Sequence, residues 1–336
     1  MKLVKTIESI GQIVAHDMTQ IIPGTYKGPR FRRGHVIMAE DIPILLDMGK
    51  EQIYIWEKPE GMLHEEEGAT QLSNLVQGDN IRPGKVFEGK IELFAECNGL
   101  LKVKSDTLYR VNSIEGIAVI TRRGNIGVIK DDRVASAKII PLLIEKEKLR
   151  EAASICGEER LLSVIPYVPK KIGIIVTGTE VYSGRIPDAA VPTITTKIEA
   201  LSGVCTETII LDDDHERITS AILAMFDRGI DLIVCSGGMS VDPDDKTPLA
   251  IRNTGARIVS YGVPIMPGVM LLLAYIERKG AQPVPIVGLP ACVLHDRITA
   301  FDVLLPRLMA DDPITREELV RHAEGGLDSA ALVGRL

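Results

Sequence analysis

Asp231-Leu-Ile-Val-Cys-Ser-Gly-Gly-Met-Ser-Val-Asp-Pro-Asp-Asp245 reads as a buried strand that runs straight into a Gly-Gly turn. The run to Cys235 is apolar and led by β-branched Ile233 and Val234, as in a strand covered on both faces. Gly237 and Gly238 lack a Cβ, so the chain can turn sharply there and come close to a ligand. Ser236 and Ser240 offer hydroxyls to an anion. Asp242, Asp244 and Asp245 would repel that anion unless a metal or a substrate proton lies between. Strand, small-residue turn, carboxylate and helix is the build of a ligand site at the carboxyl end of an α/β sheet.

Outward from this stretch the pattern is a regular βα alternation. Strands are expected at 172–176, 205–211, 256–260, 270–276 and 284–288. Pro192 to Leu201 reads as a helix, with Ile194, Ile198 and Leu201 on one face and Gly203 just past its end. Asp213-Asp-His-Glu216 has the spacing of a capping box before a helical face of Ile218, Ile222, Met225 and Phe226. A helix from Thr247 ends at Gly255, and one from Val293 to Met309 closes the unit, bent or crowded at Pro306. This alternation implies a three-layer α/β/α sandwich with a mainly parallel sheet in the C-terminal half. Pro166-Tyr-Val-Pro169 reads as a stiff linker before it.

Upstream, residues 1–60 read as a small β-rich domain and 61–168 as a second, α+β unit. A stretch rich in Pro, Gly and basic residues, Pro23 to Gly34, is either a phosphate-holding loop or a solvated one. Helices are expected at 40–49, 64–76 and 142–153, and strands at 53–56, 90–96, 99–103, 117–121 and 133–140. The domain proper is expected at 169–310, followed by a polar tail, 311–336.

At 336 residues with 45% hydrophobic content, two or three packed domains are expected. A net charge of −7 argues against a general nucleic-acid or anionic-membrane partner. The five cysteines are far apart and show no metal spacing, and no long apolar run exists, so a reduced, cytoplasmic setting is expected.

Five loops of the C-terminal half should meet at one sheet edge: Thr177–Glu180, Gly184–Asp188, Ser236–Asp245, Pro264–Gly268 and Gly288–Pro290. Backbone N–H groups at Gly237 and Gly238 favour phosphate. Glu180, Asp188 and Asp245 add carboxylates. Anion donors beside carboxylates suggest a phosphorylated substrate with Mg²⁺, which takes oxygen ligands shared between carboxylate and phosphate. Neither a Walker loop nor Gly-x-Gly-x-x-Gly is present. His295, Asp296 and Cys292 could line the same pocket, or serve as a cap and an inert thiol. Cys235 reads as core, and Asp212–Asp214 as a solvated cap.

The ordered set Thr177-Gly-Thr-Glu180, Gly184-x-Ile-x-Asp188, Ser236-Gly-Gly-x-Ser240 with Asp245, Pro267-Gly268 and Gly288-Leu-Pro290 resembles the molybdopterin-binding domain of molybdenum cofactor biosynthesis proteins. The resemblance covers about 171–310. It implies that Ser236, Gly237, Gly238 and Ser240 hold the phosphate or pterin. Thr177, Gly178, Asp188, Pro267, Gly268, Gly288, Leu289 and Pro290 would complete the pocket. Glu180 and Asp245 would be the catalytic carboxylates, with Asp245 the Mg²⁺ ligand. The implied activity is transfer of molybdenum or an adenylyl group to molybdopterin, with molybdate or ATP as co-substrate, in a homo-oligomer. A non-catalytic cofactor carrier or sensor, and a nucleotide-processing enzyme, are the alternatives. Several family positions differ here. Ala189 and Ala190 stand where relatives have an Asn, and Asp242 where they have Gly. Pro267-Gly-Val-Met replaces Pro-Gly-Lys-Pro, and Gly288-Leu-Pro-Ala-Cys-Val replaces Gly-Leu-Pro-Gly-Asn-Pro. Each change removes or alters a contact that would orient substrate.

Overall fold

The structure is a computed structural model that describes residues 2–56, 59–158, 160–243 and 245–333; Asp244 of the carboxylate cluster therefore lies outside the described residues. The chain forms two compact units. The first comprises 1–94, 103–122 and 133–163, the second 95–102, 123–132 and 164–336.

In the first unit, Val14, Met18, Phe31, Ile37, Leu45 and Ile53 form a small core. The segment from Pro23 to Gly34 is mostly not a loop. Met18–Ile22 and Tyr26–Phe31 pair as an antiparallel hairpin, closed by Thr25 N–H donating to Ile22 O at 3.0 Å. Pro23 and Gly24 mark only the turn. The helix Glu65–Val76 starts where its acidic residues suit the helix dipole. His64 caps it: Nδ1 accepts from Glu66 N–H, and Glu67 accepts from His64 N–H. The strands Ile81–Phe87, Lys90–Ala95, Arg133–Ile139 and Ile117–Thr121 make a four-stranded sheet. Leu143–Glu145 is a strand, so the helix expected from 142 begins at Lys146.

The second unit contains a six-stranded sheet: β1 (Lys171–Thr177), β2 (Val204–Leu211), β3 (Leu232–Ser236), β4 (Arg257–Tyr261), β5 (Leu272–Ile276) and β6 (Val284–Leu289), in the order β2-β1-β3-β6-β5-β4. The first four in that order are parallel, and β5 is antiparallel to both its neighbours. The helices used below are α1 (Thr179–Tyr182), α2 (Ala190–Glu199), α3 (His215–Asp227), α4 (Thr247–Asn253), α5 (Ala300–Met309) and α6 (Arg316–Val320).

Alternation along the strands makes two apolar layers. Ile172, Ile174, Val176, Leu232 and Val234 pack with Ile194 and Ile198 of α2 and Phe301 and Leu305 of α5. Ile175, Ile233 and Cys235 face the other way, toward Ile222 and Met225 of α3 and Ile251 of α4. Each fully buried Ile or Leu contributes roughly 1.5–3 kcal/mol. Gly173 lets α3 come close, since a Cβ there would sit 2.5 Å from Met225 Sδ.

Local details differ from the sequence expectation. The cap of α3 is Asp214, which accepts from Glu216 and Arg217 N–H; Asp213 is spent elsewhere. The final helix is not continuous from Val293. A 3-10 turn, Ala291–Leu294, precedes α5, which Thr299 and Asp302 cap reciprocally. Lys197 of α2 reaches Asp302 at 2.7 Å, an ion pair largely out of solvent. After Asp311 the chain packs Ile314, Leu319 and Leu332 into the apolar layer of α2 and α5.

Candidate functional site

The strand register sets the position of every loop. Thr177 of β1 opposes Leu211 of β2, and Ser236 of β3 lies beside Val176 of β1 and Leu289 of β6. Tyr261 of β4 pairs with Leu272 of β5, and Leu272 with Gly288 of β6. The carboxyl ends of the parallel strands therefore share one edge with the 262–271 connection. All five loops picked out in the sequence leave from that edge, where open α/β sheets bind ligands.

A hydroxyl chain fixes the loop after β3. Thr247 Oγ1 donates to Gly237 O at 2.8 Å. Its proton is thereby used, so the 3.1 Å contact between the two threonine hydroxyls has Thr177 as donor. Thr247 N–H also donates to Gly238 O at 3.2 Å. Gly237 lies at φ 103°. A Cβ there would overlap the Thr177 carbonyl oxygen and lie 2.8 Å from Thr177 Oγ1. Tyr261 donates to Met239 O and Ser240 O at 2.9 and 3.1 Å, binding the loop from the β4 side. Burial and the nearby Asp245 carboxylate push the Tyr261 hydroxyl pKa up. The N–H groups of Gly238, Met239 and Ser240 donate to no acceptor among the described residues. Ser236 is buried, and its hydroxyl has no partner among them either. Successive unspent N–H groups on a fixed turn are an anion-binding arrangement.

The carboxylates are less free than their spacing suggests. Asp188 accepts from Ala190 and Val191 N–H, capping the start of α2. Asp245 accepts from Asp242 N–H at 3.0 Å, closing its own loop. Glu180 is exposed on α1 and folds back over Gly178, within 3.2 Å of where a Cβ would stand. Among the described residues no group of three or more His, Cys, Asp or Glu side chains is placed to hold a metal.

The remaining residues divide. Pro267, after a cis bond, accepts from Ala300 N–H at 2.9 Å, and Gly268 packs against Ala300. Gly288 makes room for Met239, whose Sδ would sit 2.6 Å from a Cβ. Leu289 points into the apolar layer beneath α2 and α5, so its side chain is core. Pro290 leads into the 3-10 turn. His295 and Asp296 are exposed, and burial raises the Cys292 thiol pKa. Cys235 is core, its thiol pushed up to about 12 by burial.

Sequence reasoning missed two residues. Tyr261 ends a strand at the site edge, the one available signal. Asp213 accepts from Thr179 N–H and Oγ1, both at 3.0 Å, and so holds the loop after β1. The acidic run is thus three separate devices and not one solvated cap: Asp212 pairs with Arg217, Asp213 holds Thr179 and Asp214 caps α3.

Residues 173–310 match the family described as "Probable molybdopterin binding domain". The match falls on the segment whose loops carry the resemblance. Residues 3–57 match a separate domain of unknown function (DUF8806). Among curated relatives, a CinA-like protein of Mycobacterium avium is 39% identical over 93 residues, 27% of this chain and 21% of that protein. A molybdopterin molybdenumtransferase of Synechococcus elongatus is 26% identical over 180 residues, 51% of this chain and 44% of that protein. The chain thus spans less than half the length of either relative. Among solved structures, the tungsten cofactor synthesizing protein MoaB from Pyrococcus furiosus covers 37% of this chain and 84% of its own, at 20% identity and a TM-score of 0.33.

Proposed function

We propose that the carboxyl edge of the β1–β6 sheet binds molybdopterin and that the protein acts in molybdenum cofactor biosynthesis. One observation carries this reading: the turn from Ser236 to Ser240 is locked by Thr177, Thr247 and Tyr261 while its own N–H groups and the Ser236 hydroxyl stay unspent. Such a turn suits the terminal phosphate of the pterin. The family match over 173–310 supports the choice of pterin. In this reading Ser236, Gly237, Gly238 and Ser240 hold the phosphate. Thr177, Gly178, Pro267, Gly268 and Gly288 shape the walls, and Glu180 and Asp245 face the reacting end. Mg²⁺, where used, would be shared between Asp245 and the substrate, because among the described residues no cluster of three or more ligating side chains stands there.

A transferase, using molybdate or ATP, is the first form of the proposal. Pure carriage of the cofactor is the second. The tie between Asp245 and Asp242 N–H, and the absence of a lysine after Gly268, favour carriage. Titration of molybdopterin by calorimetry tests the shared claim. Single-turnover assays with ATP or molybdate and Mg²⁺ then separate the two forms. Saturable binding lost in Ser236→Ala, with no AMP transfer and no molybdenum incorporation, selects the carrier. No binding by the native protein overturns both.

A further inference from the structure

At the opposite, amino-terminal edge of the same sheet, Arg257, Tyr275 and Pro285 lie in a row. Arg257 is in register with Tyr275 of β5, and Tyr275 with Pro285 of β6. Directly opposed residues on neighbouring strands project to the same face. That face is the one covered by α5, because Tyr275 and Leu308 share an apolar layer. Leu308, Pro283 and the turn from Asp311 to Pro313 wall the row into a crevice of about 50 Å³. One water needs roughly 10–15 Å³ on the same measure, so the space takes a ligand of a few heavy atoms.

The polar groups around the crevice are unevenly spent. The Arg257 guanidinium lies 5.6 Å from the Tyr275 ring centroid, and it has no ion pair or hydrogen bond among the described residues. The Tyr275 residue is 6% exposed. Its hydroxyl accepts from Ile314 N–H at 3.2 Å and donates to nothing among the described residues. The two carboxylates of the wall are already matched, Asp311 by Lys170 and Asp312 by both Lys102 and Arg307. A free guanidinium and an unspent O–H thus stand over apolar walls.

We propose that this crevice binds a small carboxylate with a compact apolar body. Arg257 takes the carboxylate, the Tyr275 hydroxyl supplies a second donor, and Leu308 and Pro285 enclose the body. A planar carboxylate matches the guanidinium fork. A dianion fits worse, because Asp311 and Asp312 stand in the wall and the space is small. The site lies on the far side of the sheet from the Ser236 turn and does not depend on what that turn binds.

Amide-shift titration of the full chain with isobutyrate, and separately with its neutral isostere isobutyramide, tests the proposal. Saturable shifts in the millimolar range are expected with isobutyrate, centred on Arg257, Tyr275 and Leu308. Isobutyramide should bind at least tenfold more weakly. Arg257→Gln should weaken isobutyrate at least tenfold and shift the melting temperature by no more than about a few degrees, since Arg257 is exposed and its contact is with the Tyr275 ring alone among the described residues. Tyr275→Phe should weaken it about threefold or more. The proposal is overturned by equal binding of acid and amide to the native protein, by unchanged binding in Arg257→Gln, by shifts centred on Ser236–Ser240, or by no saturable shift. The acid–amide comparison needs no variant, so a misfolded substitution cannot obscure the outcome.

Discussion

Gly237→Ala is the sharpest perturbation of the site. Its backbone sits at φ 103°, outside the region L-residues adopt, and the new Cβ would overlap the carbonyl oxygen of Thr177. The left-handed conformation alone costs about 1–2 kcal/mol. Relieving the overlap requires the end of β1 or the hydroxyl chain through Thr247 to move, adding a strain of about 1–3 kcal/mol. The sum is about 2–5 kcal/mol, which for a unit of this size lowers the melting temperature by roughly 5–15 °C. Gly229→Ala, before the amino end of β3, is the matched control. It has a positive φ of 83°, but nothing lies within 4 Å of the added Cβ. That control should cost only about 1 kcal/mol and leave molybdopterin affinity unchanged. Thermal denaturation and calorimetric titration of both variants decide the matter. If Gly237→Ala melts within a degree of the native protein and binds molybdopterin equally well, the locked-turn argument is wrong.

Three further perturbations probe other parts of the chain. Thr247→Val strips the hydroxyl from a fully buried residue and leaves Gly237 O and Thr177 Oγ1 short of a partner; about 2–3 kcal/mol should be lost in urea unfolding. Lys197→Met leaves Asp302, 3% exposed at its side chain, without its cation, and should cost about 3–5 kcal/mol by the same measurement. His64 is buried beside Arg33, and both effects lower its pKa in the fold. The unfolded chain then binds the proton first, so stability is full above the unfolded value of 6.5 and falls as pH drops through and below it. Melting curves between pH 5.5 and 7.5 should be flatter for His64→Asn, which keeps a capping side chain without titrating; an unchanged slope would exclude His64 as the source.

Much of the second unit was legible in its sequence, because parallel strands buried on both faces announce themselves as short apolar runs and their turns as glycines. Hence β1, β3 and β6, and the loops that follow them directly, could be placed by inspection. What escaped depended on partners distant in sequence. Nothing near Tyr261 signals that its hydroxyl meets carbonyls 21 and 22 residues upstream. Nothing near Asp213 reveals Thr179 as its partner. Leu289 sits in a motif that reads as a binding loop, yet strand alternation turns its side chain into the core. In the first unit, Pro83 and Gly84 disguise the strand Ile81–Phe87 as a loop, and Pro23 and Gly24 make a hairpin look like irregular chain. Proline and glycine mark a bend without saying how far it extends.

The second unit draws residues 95–102 and 123–132 from well upstream of its main stretch. Leu100, Leu101 and Val128 in those pieces are buried in the finished protein. During synthesis they emerge long before the strands and helices after residue 164, and at ~5–20 residues per second the delay is on the order of ten seconds. For that interval their apolar side chains have no completed unit to join. A nascent chain of this kind should be a substrate for holding chaperones. A shortened gene beginning near residue 169 should yield an aggregation-prone product even though it encodes every strand of the six-stranded sheet.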